Sequence, residues 1–471
     1  IYTLSLHDAL PILKEKSLSR RSFLKTSAAV GAAGVIGTSS AGLLTSCSGG
    51  SGKGSSGTSP IREAGSYYIP DLPDLAGDGK ELKAGVVGCG GRGSGAAYDF
   101  LNAANGVTIV ALGDVFQEKV DDLAARLKEE KGVDIPADKR YVGIDAYKQV
   151  IDSSIDVLID ATPPVFRPEH FKYAVEKNKH CFIEKPICVD AVGYRTVVAA
   201  AKQAQAKKLS VVTGTQRHHQ RSYVESYKQI MNGAIGEITG GIVYWNQSML
   251  WYRDRQPQWN DFEYMVRDWV NWKWLSGDHI VEQHVHNIDV FTWFTGLRPV
   301  SAVGFGSRQR RVTGDQYDNF SVDFTMENGI HLHSMCRQTD GCANNVSEFI
   351  QGTKGSWSTN GGHVIKDLDG NVIWEYDHEA EKTNFKQTNP YTLEHVNLIN
   401  CIRNNTPIEQ ASGTAVSNLA GIMGRESAYT GQEITWDAMS ASDLNYMPAD
   451  INNGSMDISG FIVPVPGSAQ K

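Results

Sequence analysis

From residue 82 onwards the chain alternates between short apolar runs and amphipathic segments. KAGVVGCG, VTIVALGD, DVLIDAT, HCFIEKP and LSVVTGTQ predict buried strands. The segments between them, among them SGAAYDFLNAA, FQEKVDDLAARLKEEKG and EHFKYAVEKN, have the 3.6-residue periodicity of helices. This alternation predicts a parallel, doubly wound α/β sheet of the Rossmann type over residues 81–215.

Beyond about residue 220 apolar and polar positions alternate, and Trp and Tyr become frequent. GEITGGIVYWNQSML, VSAVGFGSRQRRV and DNFSVDFTMENGIHLHSMCRQ predict strands of a mostly antiparallel sheet. Helices are expected near residues 280–295 and 390–404. We therefore predict a second, α+β domain over residues 216–445, a C-terminal tail over 446–471, and a ligand cleft between the two domains.

The N-terminal part of the chain reads as processing sequence rather than as a domain. Residues 1–13 lack an initiator methionine, and we predict that they are extraneous. Residues 14–46 contain the basic motif SRRSFLK followed by a weakly apolar stretch. The stretch leads into LTSC, whose cysteine is Cys47, and this pattern is typical of a twin-arginine signal with a lipobox. We expect lipidation at Cys47, a flexible tether over residues 47–80, and a periplasmic or membrane-anchored protein.

Composition narrows the range of partners. The chain has 471 residues and a net charge of -8, without a run of Lys or Arg that could follow a phosphate backbone, so nucleic acid is not expected as a partner. Any membrane contact is expected only through the lipid at Cys47. Beyond the signal no two cysteines have CxxC spacing, which disfavours zinc knuckles. Cys336 and Cys342 could pair in an oxidising compartment, although buried thiols are the expectation.

GCGGRG at residues 88–93 fits the GxGxxG pattern of dinucleotide-binding turns. A predicted strand precedes it and a predicted helix follows it. Asp114 closes the next strand, where it would hydrogen-bond a ribose hydroxyl and repel a 2′-phosphate, so NAD is favoured over NADP. A flavin or S-adenosylmethionine would use a similar turn. The predicted cofactor-binding residues of this region are Gly88, Gly90, Gly91, Arg92, Gly93 and Asp114.

Two further segments carry ionisable side chains. Lys185, in EKP, follows a predicted strand, where it would point into the ligand crevice and could donate a proton or hold a carbonyl oxygen. In GDHIVEQHVHNIDVF, His284 and His286 would share one side of a strand and could hold a metal. On a helix, Glu282, His286 and Asp289 would share a face instead. An HxH pair also occurs at residues 331–333, but we predict no metal.

In combination, GCGGRG, the strand end at Asp114, ATPPVFRPEH, EKP and GxxxxExxxHNID resemble the Gfo/Idh/MocA family of glucose-fructose oxidoreductase and inositol dehydrogenase over roughly residues 82–440. The resemblance implies that the second domain has an open-faced sheet that receives a carbohydrate, and that the protein is a dimer or tetramer. It implies that Lys185 contacts substrate and nicotinamide and that His286 takes the hydroxyl proton. Glu282 stands where the family usually has Asp and would orient His286. Cofactor contacts implied by the loops are Thr162, Pro163, Glu184 and Lys185.

Polar and aromatic residues near the predicted cleft are candidates for binding sugar hydroxyls and sugar rings. GTQRHHQRSY follows a strand end, and Trp251 and Tyr252 belong to an aromatic run that also includes Trp245 and Trp259. The predicted substrate-binding residues are Gln216, Arg217, His218, Trp251, Tyr252 and Asp289.

Three functions are compatible with these features. The first is an oxidoreductase that acts on a carbohydrate or glycoside hydroxyl with a tightly bound NAD. Because an exported protein has no free NAD pool, this NAD would have to be recycled in place. The second is an NAD-assisted glycosidase, of the α-N-acetylgalactosaminidase kind, that oxidises, eliminates, hydrates and reduces. The third is a lipid-tethered sugar-binding protein without catalysis.

Overall fold

Two β-sheets organise the part of the chain that the computed structural model describes, which comprises residues 67–449, 451 and 456–468. The predicted export signal and the lipidation residue Cys47 lie outside the described residues. None of the described helices is both long and apolar enough to cross a bilayer.

The first sheet is parallel, with the strand order β3-β2-β1-β4-β5-β6. Its central strands are apolar runs that helices bury on both faces, as the sequence predicted. The strands are β1 (Leu82–Val87), β2 (Val107–Asp114), β3 (Arg140–Val142), β4 (Val157–Asp160), β5 (His180–Ile183) and β6 (Val211–Thr213). The helices between them are α1 (Gly91–Ala103), α2 (Gln117–Lys131), α3 (Ala146–Asp152), α4 (Arg167–Glu176) and α5 (Ala191–Ala206). The predicted Rossmann fold is confirmed.

The second sheet has nine strands in the order β14-β13-β12-β11-β7-β10-β9-β8-β15. Its pairings are antiparallel except between β10 and β7. Its strands are β7 (Ile238–Gln247), β8 (Pro299–Ser307), β9 (Asn319–Met326), β10 (His331–Gln338), β11 (Asn345–Gly352), β12 (Gly355–Ser358), β13 (Val364–Asp367), β14 (Val372–Glu375) and β15 (Ile434–Thr435). The predicted mostly antiparallel sheet is confirmed.

Burial alternates along β9 and β10, so one face of this sheet is covered and the other is open. Helices of the second domain pack on the covered face, whereas Val303 and Phe305 are exposed on β8. The remaining helices are α6 (Arg221–Met231), α7 (Asp261–Arg267), α8 (Lys273–Ser276), α9 (His279–Glu282), α10 (Val285–Thr295), α11 (His378–Asn384), α12 (Pro390–Arg403), α13 (Ala411–Thr430) and α14 (Trp436–Ala441). The helix predicted near residues 280–295 is therefore two helices, α9 and α10.

After the second sheet the chain returns to the first. Helix α12 buries Leu393 and Val396 in the same apolar core as Phe100 of α1. The Val211 N–H group of β6 donates to the Ile408 carbonyl over 2.7 Å, so the segment after α12 extends the first sheet at its edge. The Rossmann core thus includes residues far beyond position 215.

Parts of the predicted tether and tail are also packed. Leu72 and Ala76 are buried in the first core, so these residues depart from the predicted flexible tether, whereas Tyr68 and Leu75 of the same segment are exposed. In the C-terminal segment, Phe461 meets the Trp272 ring edge-on at 6.1 Å.

Candidate active site

The turn between β1 and α1 has the shape that a dinucleotide pyrophosphate requires. Gly88 has φ +85°, and a Cβ atom there would lie 2.7 Å from the Ala161 backbone. A Cβ atom at Gly93 would lie 1.7 Å from the Gly88 carbonyl oxygen, so the helix packs on the turn only with glycine at this position. At Gly90 and Gly91 a Cβ atom would meet no atom within 4 Å. The backbone at the N-terminus of α1 is therefore open to a ligand.

Asp114 ends β2 beside this turn. Its carboxylate accepts the Cys89 N–H group over 2.7 Å and the Phe116 N–H group over 3.0 Å. Burial raises the pKa of this carboxyl, against the effect of these hydrogen bonds. Two fixed N–H donors leave lone pairs of the carboxylate free, as recognition of a ribose diol requires. The turn and Asp114 together fit the dinucleotide that the sequence predicted.

The Arg92 side chain serves the fold rather than the cavity. Its Nε atom donates to the Glu184 carboxylate and its Nη1 atom donates to Asp99 over 3.1 Å. Glu394 is also near, 3.7 Å from Nη2, and burial followed by the charge of Glu184 raises the pKa of Glu394. The Arg92 guanidinium thus neutralises a buried acidic cluster, and the cofactor contact of Arg92 stays a prediction for its backbone N–H group. The Glu184 side chain, also predicted to contact the cofactor, belongs to the same cluster.

A cavity of about 430 Å³ opens beside the glycine turn. Its walls include the glycine turn, Asp114, and the loop of Thr162 and Pro163 after β4. Thr162 is fixed by its hydroxyl, which donates to Asp160 over 2.7 Å. Further wall residues of the first domain include Phe116, Lys119, Tyr147 and His170. The second domain contributes residues between β7 and α8: Trp251, Arg253, Trp259, Val266, Arg267 and Trp269.

This wall changes the interpretation of the aromatic run. Trp251, predicted to stack on a sugar, lines the cavity beside the glycine turn. Tyr252 is its neighbour in the chain and is 41% exposed, outside the cavity lining. The direction of a long connection depends on tertiary packing, which composition does not reveal.

The EKP loop after β5 is held from three sides. Arg167 donates through Nη1 to the carbonyl oxygens of Glu184, over 2.9 Å, and Pro186, over 2.7 Å. The Glu184 carboxylate accepts the Lys185 N–H group over 3.0 Å. Asn418 of α13 accepts the Ile187 N–H group over 2.7 Å. These bonds fix the backbone from which the Lys185 side chain projects.

Lys185 binds Glu282 across the two domains. Its Nζ atom lies 3.0 Å from the Glu282 Oε1 atom and also donates to the Glu282 backbone carbonyl. The pair is nearly buried, with side-chain exposures of 11% and 8%. The sequence placed both residues at the active site, and the structure brings them into direct contact.

The predicted bond between Glu282 and His286 is absent from the described contacts. Glu282 uses its carboxylate for Lys185 and for the Gln283 amide, which donates over 2.7 Å. The two residues lie on separate helices, α9 and α10, because the Glu282 carbonyl accepts from Lys185 while the His286 N–H group donates to Gln283 over 3.3 Å. This break in the helix removes the one-turn relation on which the prediction depended.

His286 is buried beside cations. Its ring lies 5.7 Å from the Trp245 ring in a stacked arrangement and has no hydrogen-bond partner among the described residues. Burial, and then the positive charge of Lys185, lower its pKa well below 6.5. The imidazole is therefore neutral near pH 7 and can accept a proton.

The predicted substrate-binding residues form a polar group near His286. His218 Nε2 lies 2.6 Å from Asp289 Oδ2, and the Ser417 hydroxyl donates to the other oxygen of Asp289 over 2.9 Å. Arg217 is buried and donates to Glu348 over 2.6 Å. Gln216 has a buried side-chain oxygen for which the described residues offer no donor. Both His218 and Arg217 are held by internal pairs, but the His218 side chain is 21% exposed and that of Arg217 9%. His218 and Gln216 stay predictions for substrate binding.

The alternative of a metal pair at His284 and His286 finds no support in the geometry. The His284 Nε2 atom lies 2.7 Å from the Ser334 hydroxyl, and burial lowers the pKa of this histidine to about 3. At the surface, His331 pairs with Asp323 at 2.7 Å. Within the described residues, no group of three His, Cys, Asp or Glu side chains could ligate a metal. The cysteines described are free thiols, including exposed Cys342 and buried Cys336.

Four structural contributors were not among the predicted site residues. Trp245 stacks on His286, Arg167 and Asn418 hold the EKP loop, and Glu348 fixes Arg217. Arg167 lies within the quoted motif ATPPVFRPEH, so its position was a usable signal. Trp245 belongs to the aromatic run of the sequence, whereas Asn418 and Glu348 carry no local pattern.

A Rossmann domain with an open glycine turn, joined to a second domain that presents a neutral histidine beside a lysine, defines an NAD-binding oxidoreductase. Sequence comparison agrees: residues 82–213 match the oxidoreductase family with an NAD-binding Rossmann fold, and residues 223–358 match the GFO/IDH/MocA C-terminal domain. The chain belongs to the Gfo/Idh/MocA family. Residues 17–37 match the twin-arginine translocation signal, which supports export by that route.

Individual relatives are distant. A scyllo-inositol 2-dehydrogenase (NAD(+)) of Bacillus subtilis is 21% identical over 77% of this chain and 98% of its own length. A glycosyl hydrolase family 109 protein of Streptomyces coelicolor is 25% identical over 48% of this chain and 44% of its own. Several inositol 2-dehydrogenases are matched over 43% of their length. The scyllo-inositol dehydrogenase structure from Lactobacillus casei with NAD(H) and scyllo-inositol has a TM-score of 0.57 at 18% identity, covering 75% of this chain and 99% of that chain, and shows the common fold.

Proposed function

We propose that the protein oxidises a hydroxyl group of a carbohydrate, glycoside or inositol with NAD. The observation that carries this proposal is the neutral, buried imidazole of His286 beside the Lys185 ammonium, which is held by Glu282. A secondary alcohol needs a base for its hydroxyl proton and a positive group for its oxygen, and these two side chains match those needs. The inositol dehydrogenases among the relatives support a polyhydroxylated substrate.

In this proposal His286 accepts the hydroxyl proton on its free ring nitrogen. Lys185 holds the same oxygen and stabilises the charge that develops on it as the proton leaves. Bound NAD supplies the hydride acceptor. His218, fixed by Asp289, and Gln216 bind other hydroxyl groups of the substrate and so orient the reacting carbon.

The export signal bears on cofactor use. Outside the cytoplasm a dehydrogenase that released reduced NAD at each turnover would lack a pool to replace it. We therefore propose that NAD stays bound and is reoxidised in place by a second carbonyl substrate. Lipidation at Cys47, a periplasmic location and assembly into a dimer or tetramer are part of the same proposal. A Cys47→Ala variant that stayed in the membrane fraction would contradict the lipid anchor.

A second candidate is an NAD-assisted glycosidase, which the similarity to the glycosyl hydrolase family 109 protein favours. Here oxidation would acidify the neighbouring C–H bond, the aglycone would be eliminated, water would add, and the hydroxyl would be restored by reduction. No net keto product accumulates in this reaction. The same His286 and Lys185 would act on the oxidised hydroxyl.

The test uses purified protein without added cofactor. It is incubated with inositols, aldoses and aryl glycosides, and reduced nicotinamide, keto products and aglycone are measured. Keto products with reduced nicotinamide support the oxidoreductase, whereas aglycone release with deuterium uptake from heavy water at the neighbouring carbon supports the glycosidase. A protein that neither carries nor binds NAD would overturn both.

The matched variants are His286→Asn and His331→Asn. His331 pairs with Asp323 at the surface, so its loss should leave the rate unchanged. His286→Asn should reduce turnover by about a hundredfold or more while NAD remains bound. Equal rates in the two variants would contradict the role of His286.

A further inference from the structure

The connection between β7 and α8, residues 248–272, is called the aromatic strap here because Trp251, Trp259, Trp269 and Trp272 lie in it. Although it leaves from the sheet of the second domain, it reaches the dinucleotide cavity. Trp251, Arg253, Trp259, Arg267 and their neighbours face the same cavity as the glycine turn and Asp114.

The strap is a built structure rather than a loose loop. Asp268 is fully buried and accepts the Arg253 N–H group over 2.8 Å and the Asn271 amide over 2.8 Å. Helix α7 within the strap is capped by Asn260, which accepts the Glu263 N–H group over 2.8 Å. These bonds fix the direction in which the cavity-lining side chains point.

Two contacts bind the strap to the Rossmann domain. Met265 and Val266 share an apolar cluster with Val165 and Phe166, which follow the loop of Thr162 and Pro163. The strap therefore closes one side of the cavity through apolar packing.

The second contact is a polar latch. The Arg267 guanidinium lies 3.9 Å from the centre of the Phe116 ring and donates to Glu118 over 2.7 Å. Phe116 and Glu118 follow Asp114, at the start of α2, so the latch lies on the adenosine side of the predicted dinucleotide site. Glu263 on the strap completes it at 2.9 Å.

The charges on the cavity walls differ in their partners. Arg267 is paired, but Arg253 from the strap and Lys119 from α2 have no carboxylate partner among the described ion pairs. Arg253 is held against Trp251, with 5.5 Å between the guanidinium and the ring centre. A dinucleotide carries two negatively charged phosphates. Cations in the cavity that lack a carboxylate partner in the protein could pair with these phosphates.

We propose that the aromatic strap is the second half of the NAD site: Arg253 supplies positive charge to the dinucleotide phosphates, and the Arg267–Glu118 latch keeps NAD in the protein between turnovers. This inference rests on the proposed function, because only an exported enzyme that recycles its cofactor in place needs such retention. It assigns to the second domain a role in cofactor binding besides its role in substrate binding.

The test measures cofactor retention rather than activity. Protein loaded with reduced NAD is mixed with excess oxidised NAD, and the loss of energy transfer from the strap tryptophans to bound reduced NAD gives the dissociation rate. Cofactor content after gel filtration provides a second reading. Arg253→Gln and Arg267→Gln should each raise the dissociation rate about tenfold, the value expected for one charge-assisted hydrogen bond.

The matched control is Arg298→Gln. Arg298 also stacks on an aromatic ring, Trp436 at 5.2 Å, and also pairs with a glutamate, Glu327 at 3.5 Å, but it lies outside the cavity lining. Its loss should change the rate by less than about twofold. Glu118→Gln breaks the latch from the exposed side, and its NAD dissociation rate should equal that of Arg267→Gln. The test therefore stays valid if Arg267→Gln folds poorly.

Two outcomes would overturn the inference and separate it from the proposed function. If the unmodified protein binds NAD and Arg253→Gln, Arg267→Gln and Glu118→Gln all release it at the unmodified rate, the strap has no role in retention while the proposed function stands. If the unmodified protein binds no NAD, both fail.

Discussion

The buried ion pair between Lys185 and Glu282 links the two domains at the proposed reacting centre, and its removal is the sharpest test of the site. Glu282→Gln keeps the shape of the side chain but removes its charge. The Lys185 ammonium then keeps the backbone carbonyl of residue 282 and at most a neutral amide oxygen, and is left without a carboxylate. Glu282→Asp, which restores the residue usual in the family, keeps the charge on a side chain one methylene shorter.

The geometry sets the size of the effect. At 3.0 Å and an effective dielectric constant of about 20, the attraction between the two charges is about 5–6 kcal/mol. Desolvation of both groups offsets part of it, and removal of one partner from such a pair lowers the free energy of unfolding by about 3–5 kcal/mol. Replacement of both partners by neutral groups should cost less than the sum of the single changes, because no charge remains buried.

A double-mutant cycle of Glu282→Gln and Lys185→Met measures this coupling. Unfolding in urea is followed by fluorescence at a fixed concentration of NAD, because bound ligand adds to the apparent stability. We expect a coupling energy of about 1.5–3 kcal/mol. Additivity within about 0.5 kcal/mol would refute the pair as an energetic link between the domains. Turnover should fall in every variant that lacks Lys185, whatever its stability.

Three other predictions follow from the site. Since burial and then the charge of Lys185 hold the pKa of His286 well below 6.5, the acid limb of kcat/KM should lie well below pH 6.5, and a midpoint near 6.5 would contradict a neutral base. Gly93→Ala should destroy the turn, because its Cβ atom would clash with a backbone oxygen, whereas Gly90→Ala should fold normally but bind NAD at least about tenfold more weakly by calorimetry. Asp114→Asn removes the charge and keeps an oxygen acceptor for one of the two N–H groups that Asp114 binds, so NADP affinity should rise about tenfold relative to NAD, and an unchanged ratio would count against Asp114 as the discriminator.

The fold was predictable because its signals are local. The apolar runs of β1 and β4 and the glycines at Gly88 and Gly93 need only their neighbours to be interpreted, and the structure confirms the sheet that they imply. The return of α12 to the first core was not predictable from any boundary signal. Its apolar face fits either domain, and only the packing of Leu393 beside Phe100 decides between them.

The helix around His286 shows why the site was only partly predictable. Spacing alone puts Glu282 and His286 on one face of a helix. In the structure, the carbonyl that would continue this helix is taken by Lys185, which arrives from the other domain about a hundred residues earlier in the chain. The pattern of apolar and polar positions does not show that a side chain from a distant part of the chain will bind a backbone carbonyl.

The contact with Lys185 explains why residue 282 is a glutamate rather than the shorter aspartate. The Glu282 side chain has to reach the ammonium at Lys185 while its own carbonyl binds the same atom, and Gln283 then takes the second carboxylate oxygen. Since Glu282 is thereby committed to Lys185, His286 gains a low pKa from burial and nearby cations rather than a carboxylate that would raise it. A neutral histidine without a carboxylate partner can accept a proton as soon as the substrate binds. Glu282→Asp should therefore disturb Lys185 first and His286 only through it, the reverse of what a direct carboxylate–histidine relay would give.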